Sequence, residues 1–175
     1  QKHLKSQNMT IRDANWGEFL INSDKYRSIA RIINWNWFYS SNYNIPEKVI
    51  ILNGITLSWM LSSSDNEIRD QATKALVSIF TNKPVLFLSL LKMFEDIDDL
   101  YILERLYAVG YGIALRETNS LNLASLAIYV YDIQFKNNTP YPNILLRDFG
   151  RGIVELSCIE INTNLSPAFE GLHDI

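Results

Sequence analysis

Apolar residues recur along most of this chain with the period of an amphipathic helix. In the clearest segment, residues 64–80, they fall at i, i+4, i+7, i+8, i+11 and i+12, which places them on one helical face. Those positions are Ile68, Ala72, Ala75, Leu76, Ile79 and Phe80. Ser64, followed by Glu67 three residues later, has the capping-box pattern that begins a helix. The segment therefore predicts a helix that starts at Ser64.

A charged pair near the start of this helix recurs later in the chain. The arginines of the three pairs lie 36 and 42 residues apart, and two-helix solenoid repeats recur about every 34 to 47 residues. We therefore predict stacked helix pairs, with these charges forming a ladder between repeats. The alternative is a ligand-binding role, but a binding site seldom recurs at the repeat period. The predicted ladder residues are Arg69, Asp70, Glu104, Arg105, Arg147 and Asp148.

The remaining segments complete an all-α prediction of about seven to eight helices. Residues 49–60 and 85–94 are apolar on most faces, as expected of helices sandwiched between neighbours. Gly110 and Gly112 lie inside another helical segment and each costs about 1 kcal/mol relative to alanine, which indicates close approach of a neighbouring helix. The predicted architecture is an α-solenoid of HEAT-like stacked helix pairs.

The array is expected to fill most of the chain. We assign residues 46–162 to the HEAT-like repeats and residues 1–45 to an N-terminal helical segment of the same array. Within that segment, residues 1–9 are polar and predicted to fray, with Thr10 as the first helix cap. Residues 163–175 are predicted to form a polar tail.

The composition is that of an ordinary globular protein, with 47% hydrophobic and 20% charged residues. A formal net charge of −3 gives no global attraction to nucleic acids or acidic membranes. No apolar run approaches the ~20 residues of a membrane span, so no membrane partner is expected. The basic residues are scattered, which disfavours a nucleic-acid partner. They include Lys74, Lys83, Lys92, Arg105, Arg116, Arg147 and Arg151.

The sequence lacks the motifs of the common catalytic and metal sites. It has no phosphate-binding loop and no nucleophile elbow, and its only histidines, His3 and His173, lie near opposite ends. We interpret the acidic run Glu95–Asp99 as a solvated helix cap rather than a metal site, because the helix dipole favours carboxylates there. The single Cys158 predicts a buried, inert thiol and a reducing, cytoplasmic location. We therefore predict no enzymatic activity, metal or cofactor.

Aromatic residues crowd the first third of the chain, and most are expected in the core. Trp and Tyr on an exposed face are favoured residues of protein interfaces. We therefore predict a protein-contact surface at Trp35, Trp37, Tyr39 and Tyr43.

Three motifs carry a resemblance to a known family: Arg-Asp-Gln-Ala-Thr-Lys-Ala-Leu at 69–76, Glu-Arg-Leu-Tyr at 104–107 and Leu-Arg-Asp-Phe at 146–149. Together with their flanks, over residues 57–156, they resemble the long C-terminal helical-repeat regions of bacterial antiviral STAND NTPases. The resemblance implies a solenoid segment of a sensor arm that recognises phage proteins. It carries over no catalytic residue, because the ATPase and effector chemistry of that family belongs to other domains.

The expected function is therefore a non-catalytic protein-binding module of a larger antiphage NTPase. Its partners would be a foreign protein, such as a phage protein, and other domains of its own chain. Two alternatives remain: a helical-repeat nucleic-acid-binding domain, which requires a basic stripe, and a purely architectural spacer, which requires no partner.

Overall fold

A computed structural model describes residues 2–21, 23–38, 44–117, 120–136 and 142–161. Within these ranges the chain forms nine helices and no strand, which confirms the predicted all-α class. The second helix, α2, spans residues 9–21 and contains a π-helical turn at Asp13–Gly17. The other helices are α1 (Lys2–Ser6), α3 (Ser23–Phe38), α4 (Glu47–Met60), α5 (Asn66–Phe80), α6 (Pro84–Met93), α7 (Leu100–Ala114), α8 (Ser120–Gln134) and α9 (Ile144–Ile161).

Each helix from α3 onward packs against the helix two places along the chain. Helices α3, α5, α7 and α9 form one layer in this way, and α4, α6 and α8 form a second layer behind it. Hydrophobic side chains fill the space between the layers, with Phe80, Phe87 and Leu106 fully buried. This arrangement is consistent with stacked helix pairs, in which each pair contacts only its neighbours.

Two glycines of α7 lie where neighbouring helices approach α7 closely. A Cβ atom on Gly110 would lie 3.0 Å from Ile153 Cδ1 and 3.1 Å from Phe87 Cε1. On Gly112 it would lie 3.0 Å from Val77 Cγ2. The close approach predicted from these glycines is therefore confirmed.

The helix starts differ from the prediction in detail. Asp65, not Ser64, is the N-cap of α5: its carboxylate accepts a 2.8 Å hydrogen bond from the Glu67 backbone N–H. Asn8, not Thr10, caps α2, because its side chain accepts from the Ile11 backbone N–H. The predicted caps were wrong because several polar residues stand side by side at each start, and any of them can supply an oxygen.

The N-terminal residues expected to fray instead contain α1, which brings the helix count to nine. Lys5 Nζ donates to the carbonyl oxygen of Met93 at 3.3 Å and lies 3.7 Å from an Asp96 carboxylate oxygen. These contacts hold α1 against the turn between α6 and α7. Residues 163–175, the predicted tail, lie outside the described part of the chain.

Helix α2 is attached to the same turn through a buried arginine. Arg12 is fully buried, and its Nη2 lies 2.8 Å from Asp98 Oδ1 and 3.4 Å from Asp99 Oδ2. Its guanidinium carbon lies 5.4 Å from the centroid of the Trp59 ring. The Trp16 indole N–H donates to the Trp59 carbonyl oxygen at 2.7 Å. We call these contacts among α2, Trp59 and residues 98–99 the N-terminal clasp.

The acidic run therefore does more than cap a helix. Asp99 is the N-cap of α7, as predicted, because its carboxylate accepts from the backbone N–H groups of Tyr101 and Ile102. The expectation of a solvated turn was wrong for Asp99, which is only 5% exposed, because Arg12 covers it. The Arg12 hydrogen bond also lowers the pKa of Asp98.

Candidate protein-binding surface

Two of the three ladder arginines, Arg69 and Arg105, lie where α5 and α7 pack together. Arg105 Nη1 lies 3.3 Å from Asp70 Oδ1, which joins α7 to α5. The guanidinium carbons of Arg69 and Arg105 lie 5.6 Å and 5.4 Å from the centroid of the Tyr101 ring. Arg105 Nη2 also donates to Tyr101 Oη at 3.0 Å. Arginine and aromatic contacts therefore connect α5 and α7.

The other ladder residues occupy a different setting. Glu104 accepts a 2.7 Å hydrogen bond from Asn143 Nδ2, which joins α7 to the residue before α9. Arg147 is half-buried and Asp148 is exposed. Neither of these two side chains is bonded to another side chain in the part of the chain that the structure describes. The charged pairs thus do not repeat one set of contacts, and the ladder across all three repeats stays a prediction.

The two tryptophans of the predicted contact segment lie on opposite sides of α3. Residues two positions apart are rotated by about 200° around a helix, so Trp35 and Trp37 point away from one another. Trp35 faces α4, whereas Trp37 faces α5. Tyr39 and Tyr43 lie outside the described residues.

Trp35 lines an open cleft that we call the α3/α4 groove. Helices α3 and α4 each pack against α5 but hardly touch one another, which leaves a groove of about 540 Å³ between them. Ile32, Trp35 and Val49 are each 38% exposed there. The described residues that line it are Ser28, Arg31, Ile32, Trp35, Asn36, Val49 and Asn53.

Trp37 lines a second cleft, of about 750 Å³, whose described lining residues are mostly polar or charged; we call it the α3/α5 groove. Lys74 Nζ lies 5.5 Å from the centroid of the Trp37 ring, and Ser78 Oγ donates to the Trp37 carbonyl oxygen at 3.1 Å. Three of the cations that are scattered in the sequence meet here. The described residues that line it are Trp37, Thr73, Lys74, Val77, Ser78, Thr81, Asn82, Lys83 and Arg116.

The described residues offer little that is typical of a catalytic centre. No group of three or more His, Cys, Asp and Glu side chains within them is placed to hold a metal ion. Cys158 is half-buried, and burial together with the nearby Glu155 carboxylate raises the pKa of its thiol. Among the described helices, none combines the length and the hydropathy needed to cross a bilayer.

Comparison with known proteins gives no relative. No family model matches the chain, and no curated protein or solved structure matches it. The two grooves beside α3 are therefore the features from which function is argued.

Proposed function

We propose that this chain is a non-catalytic helical-repeat module that binds a partner protein in the α3/α4 groove. The observation that supports this function is the exposure of Ile32, Trp35 and Val49 along one open cleft. Contiguous apolar side chains that remain uncovered are typical of interaction sites. Tryptophan is also the residue type most enriched among those that dominate binding energy.

The groove suits an amphipathic helix whose apolar stripe is flanked by carboxylates. A cleft between two helices accepts such a helix through anchors at i, i+3, i+4 and i+7. Arg31 lines the cleft, and Arg27, one turn earlier on α3, is exposed. Because no carboxylate of the described residues forms an ion pair with either arginine, both charges are available to a partner.

Two synthetic peptides test this proposal. One is an amphipathic helix with leucines at i, i+3, i+4 and i+7 and glutamates beside them; in the other, serine replaces each leucine. We expect calorimetric titration to give saturable binding of the leucine peptide alone. Trp35→Ala should weaken that binding by about tenfold or more, which corresponds to the 1.4 kcal/mol typical of an interface anchor.

The matched control is Leu121→Ala, which truncates a 69% exposed apolar side chain on α8, far along the array. This variant should bind the leucine peptide like the unchanged protein. Equal binding of both peptides, or equal weakening by both substitutions, would refute a specific apolar site. A purely architectural spacer would bind neither peptide.

The resemblance to antiviral STAND NTPases supports a specific setting for this module. In that setting the chain belongs to a cytoplasmic sensor arm, its partner is a phage protein, and ATP hydrolysis occurs in another domain. The test is to express the complete reading frame with single phage proteins and to measure ATP hydrolysis. Trp35→Ala should remove any stimulation, whereas ATP hydrolysis by this chain alone would contradict a non-enzymatic module.

A further inference from the structure

We infer that the α3/α5 groove is a second binding site, separate from the α3/α4 groove, and that it takes an acidic, extended peptide segment of a partner protein. Lys74, Lys83 and Arg116 surround it, and all three are exposed. Within the described residues none of them forms an ion pair. A chain with a net charge of −3 thus concentrates unneutralised positive charge in one concave place.

The capping of helix ends accounts for only one of these cations. The groove lies where α3, α5 and α7 end, and positive side chains are stabilised at helix C-termini. Arg116 has this role, because its Nη1 donates to the Gly112 carbonyl oxygen at 2.9 Å. Lys74 lies in the middle of α5 and contacts the Trp37 ring instead. Lys83 forms no side-chain hydrogen bond with any residue in the described ranges. Two of the three charges therefore face the groove without a capping role.

The dimensions of the groove favour a short peptide. It extends from Trp37 on α3, across α5, to Arg116 after α7. Neighbouring helices in a layer lie about 8 to 10 Å apart, so this distance is roughly 20 Å. An extended chain advances about 3.3 Å per residue, so about six residues cover that distance.

The polar lining favours carboxylates over nucleic acid. The hydroxyl groups of Thr73, Ser78 and Thr81 already donate to backbone carbonyl oxygens, so the free donors are the cations and Asn82. Single-stranded nucleic acid binds largely by stacking on aromatic rings. Among the described residues of the lining one has an aromatic ring, Trp37, and Lys74 already lies over that ring. A carboxylate side chain of a peptide, which needs only positive charge and hydrogen-bond donors, therefore fits this lining better than a nucleic-acid base, which needs a ring to stack on.

The experiment uses the full chain and three probes: a blocked peptide of alternating glutamate and serine, the same peptide with glutamine for glutamate, and a single-stranded oligonucleotide of similar charge. We expect calorimetry at low salt to show saturable binding of the glutamate peptide only. Binding should weaken strongly as salt shortens the screening length from about 10 Å at 0.1 M to about 3 Å at 1 M. Lys83→Glu should weaken it by about fivefold or more, and Arg116→Gln should weaken it also.

The matched control is Lys92→Glu, which makes the same charge change on α6, where Lys92 Nζ lies 5.2 Å from the centroid of the Tyr129 ring. Its affinity for the glutamate peptide should stay that of the unchanged protein. No binding of the glutamate peptide, or equal losses from Lys83→Glu and Lys92→Glu, would overturn the site. Tighter binding of the oligonucleotide would overturn the assignment to an acidic peptide. Trp35→Ala serves as a further control, because it should leave binding of the glutamate peptide unchanged. The two proposed binding sites can therefore be refuted separately.

Discussion

Replacing Arg12 with methionine should destabilise the protein by about 3 to 5 kcal/mol, because it removes one partner of a buried charge cluster. The side chain of Arg12 is fully buried, and that of Asp99 is only 6% exposed. Without the guanidinium, the Asp99 carboxylate keeps only two long cap hydrogen bonds, of 3.1 Å and 3.3 Å. The contact of Arg12 with the Trp59 ring, worth about 0.5 to 2 kcal/mol, is lost as well.

Replacing Asp98, the other charged partner of Arg12 in the clasp, should lower the free energy of unfolding by less. The Asp98 side chain is 50% exposed, so water compensates it, and Asp98→Asn should cost only about 1 kcal/mol. The assay is equilibrium urea unfolding followed by circular dichroism and tryptophan fluorescence. The control is Arg151→Met, which removes an ion pair with Glu155 whose side chains are 52% and 53% exposed. A loss from Arg12→Met no larger than that from Arg151→Met would refute the reasoning.

Three further predictions follow from described contacts. Because the pKa of Asp98 is lowered in the folded protein, its stabilising effect is fully present above about pH 3.9, the usual unfolded value, and is lost as the pH falls from there through the lower folded pKa. The stability difference between the unchanged protein and Asp98→Asn should therefore shrink on acidification in urea titrations. Gly110→Val should lower the free energy of unfolding by about 1 to 3 kcal/mol, because the added side chain overpacks the core. Gly17→Ala, where no atom lies near the added Cβ, should raise it by up to about 1 kcal/mol. Equal melting temperatures of the two variants would contradict this prediction. The raised pKa of Cys158 should make alkylation at neutral pH slower in the folded protein than in urea, and equal rates would contradict that.

The helices could be predicted because they depend on residues that are close in sequence. The spacing of Ile68, Ala72 and Leu76 determines which face of α5 is buried, and all three are buried in the structure. Gly110 inside an otherwise apolar helix correctly indicated a close neighbour. Such patterns follow from helical geometry, so they can be recognised in the sequence without the tertiary structure.

The clasp and the α3/α5 groove could not be predicted in this way. Arg12 and Asp98 are separated by 86 residues, and nothing local distinguishes a buried arginine from an exposed one. Lys74 and Arg116 are likewise distant in sequence and come together only because α5 and α7 are neighbours in one layer. The ladder shows the same limitation. Arg69 and Arg105 meet through Tyr101, whose role no periodicity indicated.

The N-terminal clasp has a consequence for how the array comes apart. Repeat arrays can unfold from one end, one repeat at a time, because each repeat is stabilised only by its neighbours. Here Arg12 is tied to the start of α7, so the intervening helices α3 to α6 form a closed loop of chain. Unfolding of α3 to α6 from the N-terminal end then also requires that tie to break, so we expect these helices to melt together with α7 as one cooperative unit.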